Sequence, residues 1–247
     1  MIVLINLDSA AERRRSMETQ FAELGVVHRR VGFDGRTRDP REIDAWGRER
    51  FGGVAFDFDL LSGAEVGCWL SHLAAWDLLR ASRTLSGCTV VEDDVVLAPQ
   101  FPKAVAALMT TSPFDLVYLG TSSRNISTRR RVRVGDWWVH EAVGAVCNTW
   151  GYVVTRAWVE RFFATPKPPI GLPIDHFLGG HARRARPRIG VLRPAVVGEH
   201  PVLGAHSQIA PHTHAFRLDR WRGVENARRR LLDSQLGHLY SSLYRWL

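Results

Sequence analysis

Short apolar runs alternate along this chain with stretches whose apolar residues recur every three or four positions, the pattern of strands followed by helices. Ile2 to Leu7 is a short apolar run, and Ser9-Ala-Ala-Glu12 has the spacing of a capping box that opens a helix ending near Gly25. Val26 to Val31 reads as a second strand, Gly32-Phe-Asp-Gly35 as a turn, and Asp39-Pro40 as the N-cap and first position of a short helix. A second capping box, Ser62-Gly-Ala-Glu65, precedes Val66, Trp69, Leu70, Leu73 and Trp76, which predict a helix to about Arg83.

Further along, Thr89 to Val91 is a β-rich run that ends in Glu92-Asp93-Asp94, and Asp115 to Leu119 is another strand. Val132 to His140 predicts a hairpin around Gly135-Asp136, and Gly151 to Val154 a strand leading into a helix from Arg156. Pro166 to Pro173 holds four prolines and reads as a loop. The alternation predicts an α/β fold with a mostly parallel sheet flanked by helices, a single domain over 1–215. A basic helical extension over 216–247 follows it.

The composition agrees with a globular chain: 247 residues, 45% apolar and 23% charged, suffice for a full core and exclude general disorder. No run approaches the roughly 18 apolar residues of a membrane span, and the apolar start lacks a basic leader, so a soluble, cytoplasmic protein is expected. Cys68, Cys88 and Cys147 are too far apart for a zinc ribbon and too few for a disulfide framework. The net charge of +8 is uneven, because residues 1–120 carry 13 basic and 17 acidic side chains and residues 121–247 carry 20 and 8. Only Lys103 and Lys167 among the 33 basic residues are lysine. Arginine grips phosphate in two places, although arginine-favouring codons account for the same count.

The acidic triplet Glu92-Asp93-Asp94 carries the chemistry. Three successive carboxylates between Thr89-Val90-Val91 and Val95-Val96-Leu97 repel one another and lose hydration unless a cation or hydrogen-bond donors compensate them. Magnesium or manganese, which seek oxygen, would relieve that conflict and leave positions for the phosphates of a nucleotide. A solvated turn is the ordinary alternative, but ligands of open α/β sheets bind beyond the carboxyl ends of strands.

Several segments occur in a telling order: Ile5-Asn6-Leu7-Asp8 with Arg13, Val31-Gly-Phe-Asp34-Gly35-Arg36, Leu61-Ser62-Gly-Ala-Glu65-Val-Gly67-Cys68-Trp-Leu-Ser71-His72-Leu73, and Val91-Glu92-Asp93-Asp94-Val95. Gly151-Tyr152-Val-Val-Thr155 and Pro173-Ile-Asp175 follow. Together they resemble glycosyltransferase family 25, the bacterial lipopolysaccharide-type glycosyltransferases. Phe33 and Trp69 are less usual choices, and beyond Gly198 the match is loose, through Ser207 and Ile209.

The resemblance implies a GT-A-like fold that moves a sugar, often galactose from UDP-galactose, onto a saccharide acceptor with inversion. It further implies that Glu92, Asp93 and Asp94 hold metal and donor and that Asp175 is the base. Which of the three carboxylates touches the metal stays open; Glu92 and Asp94, with His200 from Gly198-Glu-His-Pro201, make one ligand set. Asn6, Arg13, Asp34, Gly35 and Asp93 are then candidates for the nucleotide-sugar.

Ordinary roles compete at each position. Asn6 also suits a strand-end turn, Arg13 a solvated helix face, His72 a hydrogen bond within the fold, and Asp175 the N-cap of a helix near His176. Of Trp137 and Trp138 at most one can stack on a sugar, since strand neighbours point to opposite sides. Two rival functions remain: a nucleic-acid binder using Arg129-Arg-Arg131, Arg183-Arg184 and Arg228-Arg-Arg230, without a recognition motif, and a metal phosphohydrolase, without a second ligand cluster. Leu232, Leu236, Leu239, Leu243 and Trp246 line one helical face in the tail. That face suits either an anionic membrane carrying a lipid-linked glycan acceptor, or packing on the protein itself or a second subunit.

Overall fold

A computed structural model describes residues 1–181 and 187–204. The expected extension over 216–247, its boundary with the preceding domain, and Ser207 and Ile209 lie outside these residues. The elements in order are β1 Ile2–Ile5, α1 Ala11–Glu23, β2 His28–Val31, α2 Pro40–Arg50, α3 Gly63–Ala81, β3 Gly87–Glu92, β4 Val95–Leu97 and α4 Phe101–Thr111. There follow β5 Leu116–Tyr118, β6 Ile126–Val134, β7 Trp137–Ala142, β8 Gly151–Thr155, α5 Arg156–Ala164, α6 Ile174–His176, β9 Ile189–Arg193 and β10 Val197–Glu199.

Eight strands form one sheet in the order β2-β1-β3-β8-β5-β9-β7-β6, and β10 pairs with β4 in a separate ribbon. Six of the eight run the same way, but β7 and β8 oppose them, so four of the seven pairings are antiparallel. The sheet is therefore mixed where the alternation predicted a mostly parallel one. The tight turn at Gly135-Asp136, with Gly135 at φ +55°, reverses the chain after β6, and β8, inserted between β3 and β5, runs antiparallel to both.

Side chains alternate across each strand and divide the core in two. Val3, Val90, Tyr118 and Tyr152 face a layer that contains Trp69, Leu70 and Trp76 of α3 and Trp158 and Phe162 of α5. Leu4, Val91, Val117 and Val153 face the opposite layer, built from Met17 and Phe21 of α1 and Phe101 and Leu108 of α4. With both faces covered, the central strands are apolar throughout, and β3 is buried from Gly87 to Val91. The result is the layered α/β arrangement implied by the resemblance to glycosyltransferases.

Local signals hold where their hydrogen bonds form. Ser62 Oγ accepts from Glu65 N–H and the Glu65 carboxylate accepts from Ser62 N–H, a complete capping box for α3. Asp39 caps α2 with Pro40 in its first turn. At α1 the expected box does not form. The chain turns between Leu7 and Ala10, whose N–H bonds the Leu7 carbonyl, and the helix begins at Ala11 without a side-chain cap.

The start of α3 is locked to the Phe33–Gly35 loop by three glycines. A Cβ at Gly35 would lie 2.1 Å from the Gly63 carbonyl oxygen, and one at Gly67 would lie 2.6 Å from the Phe33 carbonyl oxygen. Ser71 Oγ completes the joint by accepting from Phe33 N–H at 2.9 Å while donating to the Gly67 carbonyl at 2.8 Å. Since both partners at the glycines are backbone, neither can swing aside. Gly67→Ala is expected to destabilise the protein by about 1–3 kcal/mol through overpacking, read as a lower urea midpoint with unchanged slope. Ala74→Gly, on the same helix but without the joint, should cost only the helix propensity of about 1 kcal/mol.

Candidate active site

The parallel strands β1 and β3 are in register with Ile5 opposite Glu92, so the residues that follow each strand, Asn6 and Asp93, emerge side by side at the carboxyl edge of the sheet. Asn6 is buried, and its amide donates to Asp93 Oδ2 at 2.7 Å and to the Ala10 carbonyl at 3.1 Å. Arg13, one turn into α1, donates to Asp93 Oδ1 at 3.0 Å, to Asp94 Oδ2 at 3.4 Å and to the Leu203 carbonyl at 2.9 Å. Asn6 and Arg13, listed by sequence among the nucleotide contacts, thus spend these donors on orienting the acidic triplet.

The three carboxylates are compensated unequally. Burial raises Asp93, and the Asn6 and Arg13 hydrogen bonds oppose that rise. Asp94 is raised to about 7, first by burial and then by the charge of Glu92, against the pull of Arg13. Its Oδ1 is buried without a hydrogen-bond partner. Glu92 Oε1 accepts a short hydrogen bond from Thr149 Oγ1 and lies 3.4 Å from His72 Nε2.

Among the described residues, Arg13 is the one arginine or lysine in ion-pair contact with the triplet, so three negative charges against one positive leave two. A divalent cation matches that deficit, and the buried, unpartnered Asp94 oxygen is a hard donor of the type magnesium and manganese take. Glu92 and Asp94 are the carboxylates with oxygen to spare, Asp93 being engaged on both sides.

His200, the third ligand in the sequence reading, sits beside Asp94 through its backbone, donating N–H to the Asp94 carbonyl at 2.8 Å. Its ring serves its own turn, since Nδ1 accepts from Val202 N–H at 3.2 Å and Leu203 N–H at 3.1 Å. That nitrogen's lone pair is occupied and the remaining ring nitrogen carries the proton, a form that caps a turn.

Asp34 and Gly35, placed on the donor side by resemblance, have structural partners here. Asp34 caps the short turn Gly35–Thr37 and pairs with Arg36 at 2.6 Å, which holds its carboxyl below the usual range. Gly35 is buried in the glycine joint.

Asp175 lies on the same side of α3 as Cys68, close enough for its charge to act there together with that of Glu92. Trp69 Nε1 donates to the Leu172 carbonyl at 2.7 Å and pins the proline-rich loop onto α3, which delivers α6 behind it. Asp175 lies inside this short helix, half-buried, with Oδ1 accepting from His176 N–H at 2.7 Å, and Pro173 occupies the cap position instead. Its charge raises both the Cys68 thiol and the Tyr118 hydroxyl, and the charge of Glu92 acts on the same two groups. Both tryptophans of the hairpin have partners within the fold. Trp137 is core, and Trp138 is covered by Arg131 and Arg133 at 4.3 and 5.5 Å from its ring.

His72, expected from sequence to hydrogen-bond within the fold, does so with Tyr152, and Thr149 is a residue of this edge that the sequence did not single out. His72 is fully buried, its Nδ1 2.7 Å from the Tyr152 hydroxyl, which also accepts from Trp76 Nε1 at 3.0 Å. The Cys68-x-x-x-His72 spacing, which puts both residues on one face of α3, was the available signal. Thr149 had none.

The family model for glycosyltransferase family 25, described as an LPS biosynthesis protein, matches residues 1–178. The chain belongs to glycosyltransferase family 25. Among its curated relatives are a Drosophila melanogaster glycosyltransferase 25 family member, 26% identical over 72% of this chain and 30% of that protein, and the Mus musculus procollagen galactosyltransferase 2, 28% identical over 72% and 29%. A Bos taurus relative, 29% identical over 72% and 31%, is named a probable inactive glycosyltransferase 25 family member 3, so membership alone does not establish turnover. The chain spans about 30% of the length of these relatives. No described helix of this family 25 chain is long and apolar enough to cross a membrane.

The strain at Asp94 predicts a sign for stability. A carboxyl raised from 3.8 to about 7 in the fold binds more protons folded than unfolded, so its contribution is full below pH 3.8 and is lost as pH rises through about 7. With chelator present, Asp94→Asn should therefore raise the melting temperature most at pH 8, by less at pH 5, and little below about pH 3.8. A variant less stable than wild type at pH 8 would show that the carboxylate is compensated.

Proposed function

We propose that this chain is a divalent-cation-dependent glycosyltransferase that moves a sugar from a nucleotide-sugar to a hydroxyl of a saccharide acceptor, with inversion. Galactose from UDP-galactose is the transfer we favour, since relatives named procollagen galactosyltransferase 2 align with 72% of this chain. A lipopolysaccharide or other surface glycan, presented as a saccharide or on a lipid, is the proposed acceptor class, in keeping with the description of the family model. Three cysteines, too few and too far apart in sequence for a disulfide framework, support a reducing, cytoplasmic setting.

The single observation that carries the reading is the acidic triplet at the carboxyl edge of β1 and β3, two charges short of neutrality when all three carboxylates are ionised. Oxygens of Asp94 and Glu92 would hold magnesium or manganese. When bound, the cation supplies charge neutralisation for the diphosphate of the donor. Asp93, fixed by Asn6 and Arg13, holds the adjoining backbone in place.

Asp175 accepts the proton of the acceptor hydroxyl as that oxygen bonds to the anomeric carbon. The bond from that carbon to the diphosphate oxygen breaks, its electron pair leaves with the nucleoside diphosphate, and a single displacement inverts the centre. Interactions that strengthen as the diphosphate gains charge lower the barrier, because they favour the transition state over the intact donor.

A panel of nucleotide-sugars with saccharide acceptors, scored by released nucleoside diphosphate, tests the proposal. Release is expected to need both acceptor and divalent cation and to fall about 10²–10⁴-fold in Asp175→Asn, with donor affinity retained. Loss of donor binding is expected instead in Asp94→Asn. Release without any acceptor would convert the reading to a hydrolase, and near-normal turnover in a folded Asp175→Asn would remove the base.

A further inference from the structure

The face of α3 that meets the acidic triplet carries a second set of donors, softer than the carboxylates. Cys68 and His72 are one turn apart on that helix, and Glu92 ends the neighbouring strand β3. One ligand atom from each, Cys68 Sγ, His72 nitrogen and a Glu92 oxygen, lies within 4.8 Å of the others. We propose that Cys68, His72 and Glu92 form a binding site for a thiophilic divalent cation of the zinc class, distinct from the hard-cation position at Asp94.

The independent observation is His72 Nε2. The residue has no exposure, and this nitrogen is buried without a hydrogen-bond partner, directed toward Glu92 at 3.4 Å. A buried imidazole nitrogen with nothing to bond is costly unless a ligand takes its lone pair. The other nitrogen is held by the Tyr152 hydroxyl at 2.7 Å, itself anchored by Trp76 Nε1 at 3.0 Å. That arrangement matches the outer hydrogen bond which fixes the tautomer and ring orientation of metal-binding histidines.

Charge and access agree. A thiolate and a carboxylate neutralise one divalent cation, and the charges of Glu92, Asp175, Asp94 and Glu65, which all bear on Cys68, attract a cation to it. Cys68 and Glu92 are half-buried rather than sealed, so an ion has a route in. In a four-coordinate zinc site the bond lengths put neighbouring ligand atoms about 3.3–3.6 Å apart. Glu92 and His72 Nε2, 3.4 Å apart, already have that spacing, so the remaining closure of about 1 Å brings Cys68 Sγ toward them. Binding releases the thiol proton to solvent, and the fourth position is left to water.

Because Glu92 serves both positions, zinc held here withdraws a carboxylate from the donor cation. Zinc should then oppose the transfer that manganese supports; this consequence, unlike the site itself, rests on the proposed activity.

Cobalt(II), a spectroscopic stand-in for zinc, tests the site without any turnover. Titrated into the full chain, it is expected to give a thiolate-to-cobalt charge-transfer band and the visible bands of a four-coordinate ion, both displaced by one equivalent of zinc. Cys68→Ser should abolish the charge-transfer band, whereas Asp94→Asn should keep it and lose only the carboxylate position. Tyr152→Phe should weaken cobalt affinity about 10–100-fold with the band intact. Circular dichroism on each variant confirms folding; should His72→Gln fail to fold, the Cys68→Ser result decides alone. A folded wild type without the band, a band that survives Cys68→Ser and so arises from Cys88 or Cys147, or a band lost with Asp94 would each overturn the proposal. Absence of sugar transfer with the band present would count against the proposed function only.

Discussion

Three successive carboxylates at the end of a buried strand repel one another, and much of this molecule is arranged around how that repulsion is met. Asp93 receives the Asn6 amide and the Arg13 guanidinium, two donors from separate elements that converge because β1 and β3 are in parallel register. Glu92 is held by Thr149 and lies against His72. Asp94 keeps a buried oxygen with no partner. The fold therefore engages both oxygens of one carboxylate and leaves the flanking two with oxygens to spare, and that inequality is what makes the edge of the sheet a site rather than a turn.

Helix α3 is the element through which the other parts reach this edge. Its capped start is seated on the Phe33–Gly35 loop by glycines that allow backbone to touch backbone. Its indole Trp69 anchors the loop that delivers Asp175, and one face presents Cys68 and His72 to Glu92. Tight packing at one end thus sets distances at the other, since a close-packed helix transmits a displacement along its length. The motif residues Gly35, Gly63 and Gly67 act by this route, without contact with the triplet.

How far the site was legible depended on the range of the interaction involved. The acidic triplet, the Ser62–Glu65 box, the Asp39-Pro40 start and the Gly135-Asp136 turn are written in neighbouring residues, and each has its expected local structure. The failed box at Ser9 shows the limit, for the spacing was correct and the chain nevertheless turned once more before α1 began. Asn6 and Arg13, candidates for the nucleotide-sugar by resemblance, are in the structure the donors that hold Asp93.

Order along the chain by itself determined the alternation of strand and helix, the apolar central strands, the position of the carboxylates and the family. All of these depend on periodicity and on residues within a few positions of one another. Only the tertiary structure decided that the sheet is mixed, that His200 caps a turn beside Asp94, that Tyr152 bonds a histidine and that Thr149 bonds a carboxylate far from it in sequence. Strand direction and side-chain partners across tens of residues follow from which faces bury together. That choice is made by the whole core at once and leaves no mark in any single window of sequence.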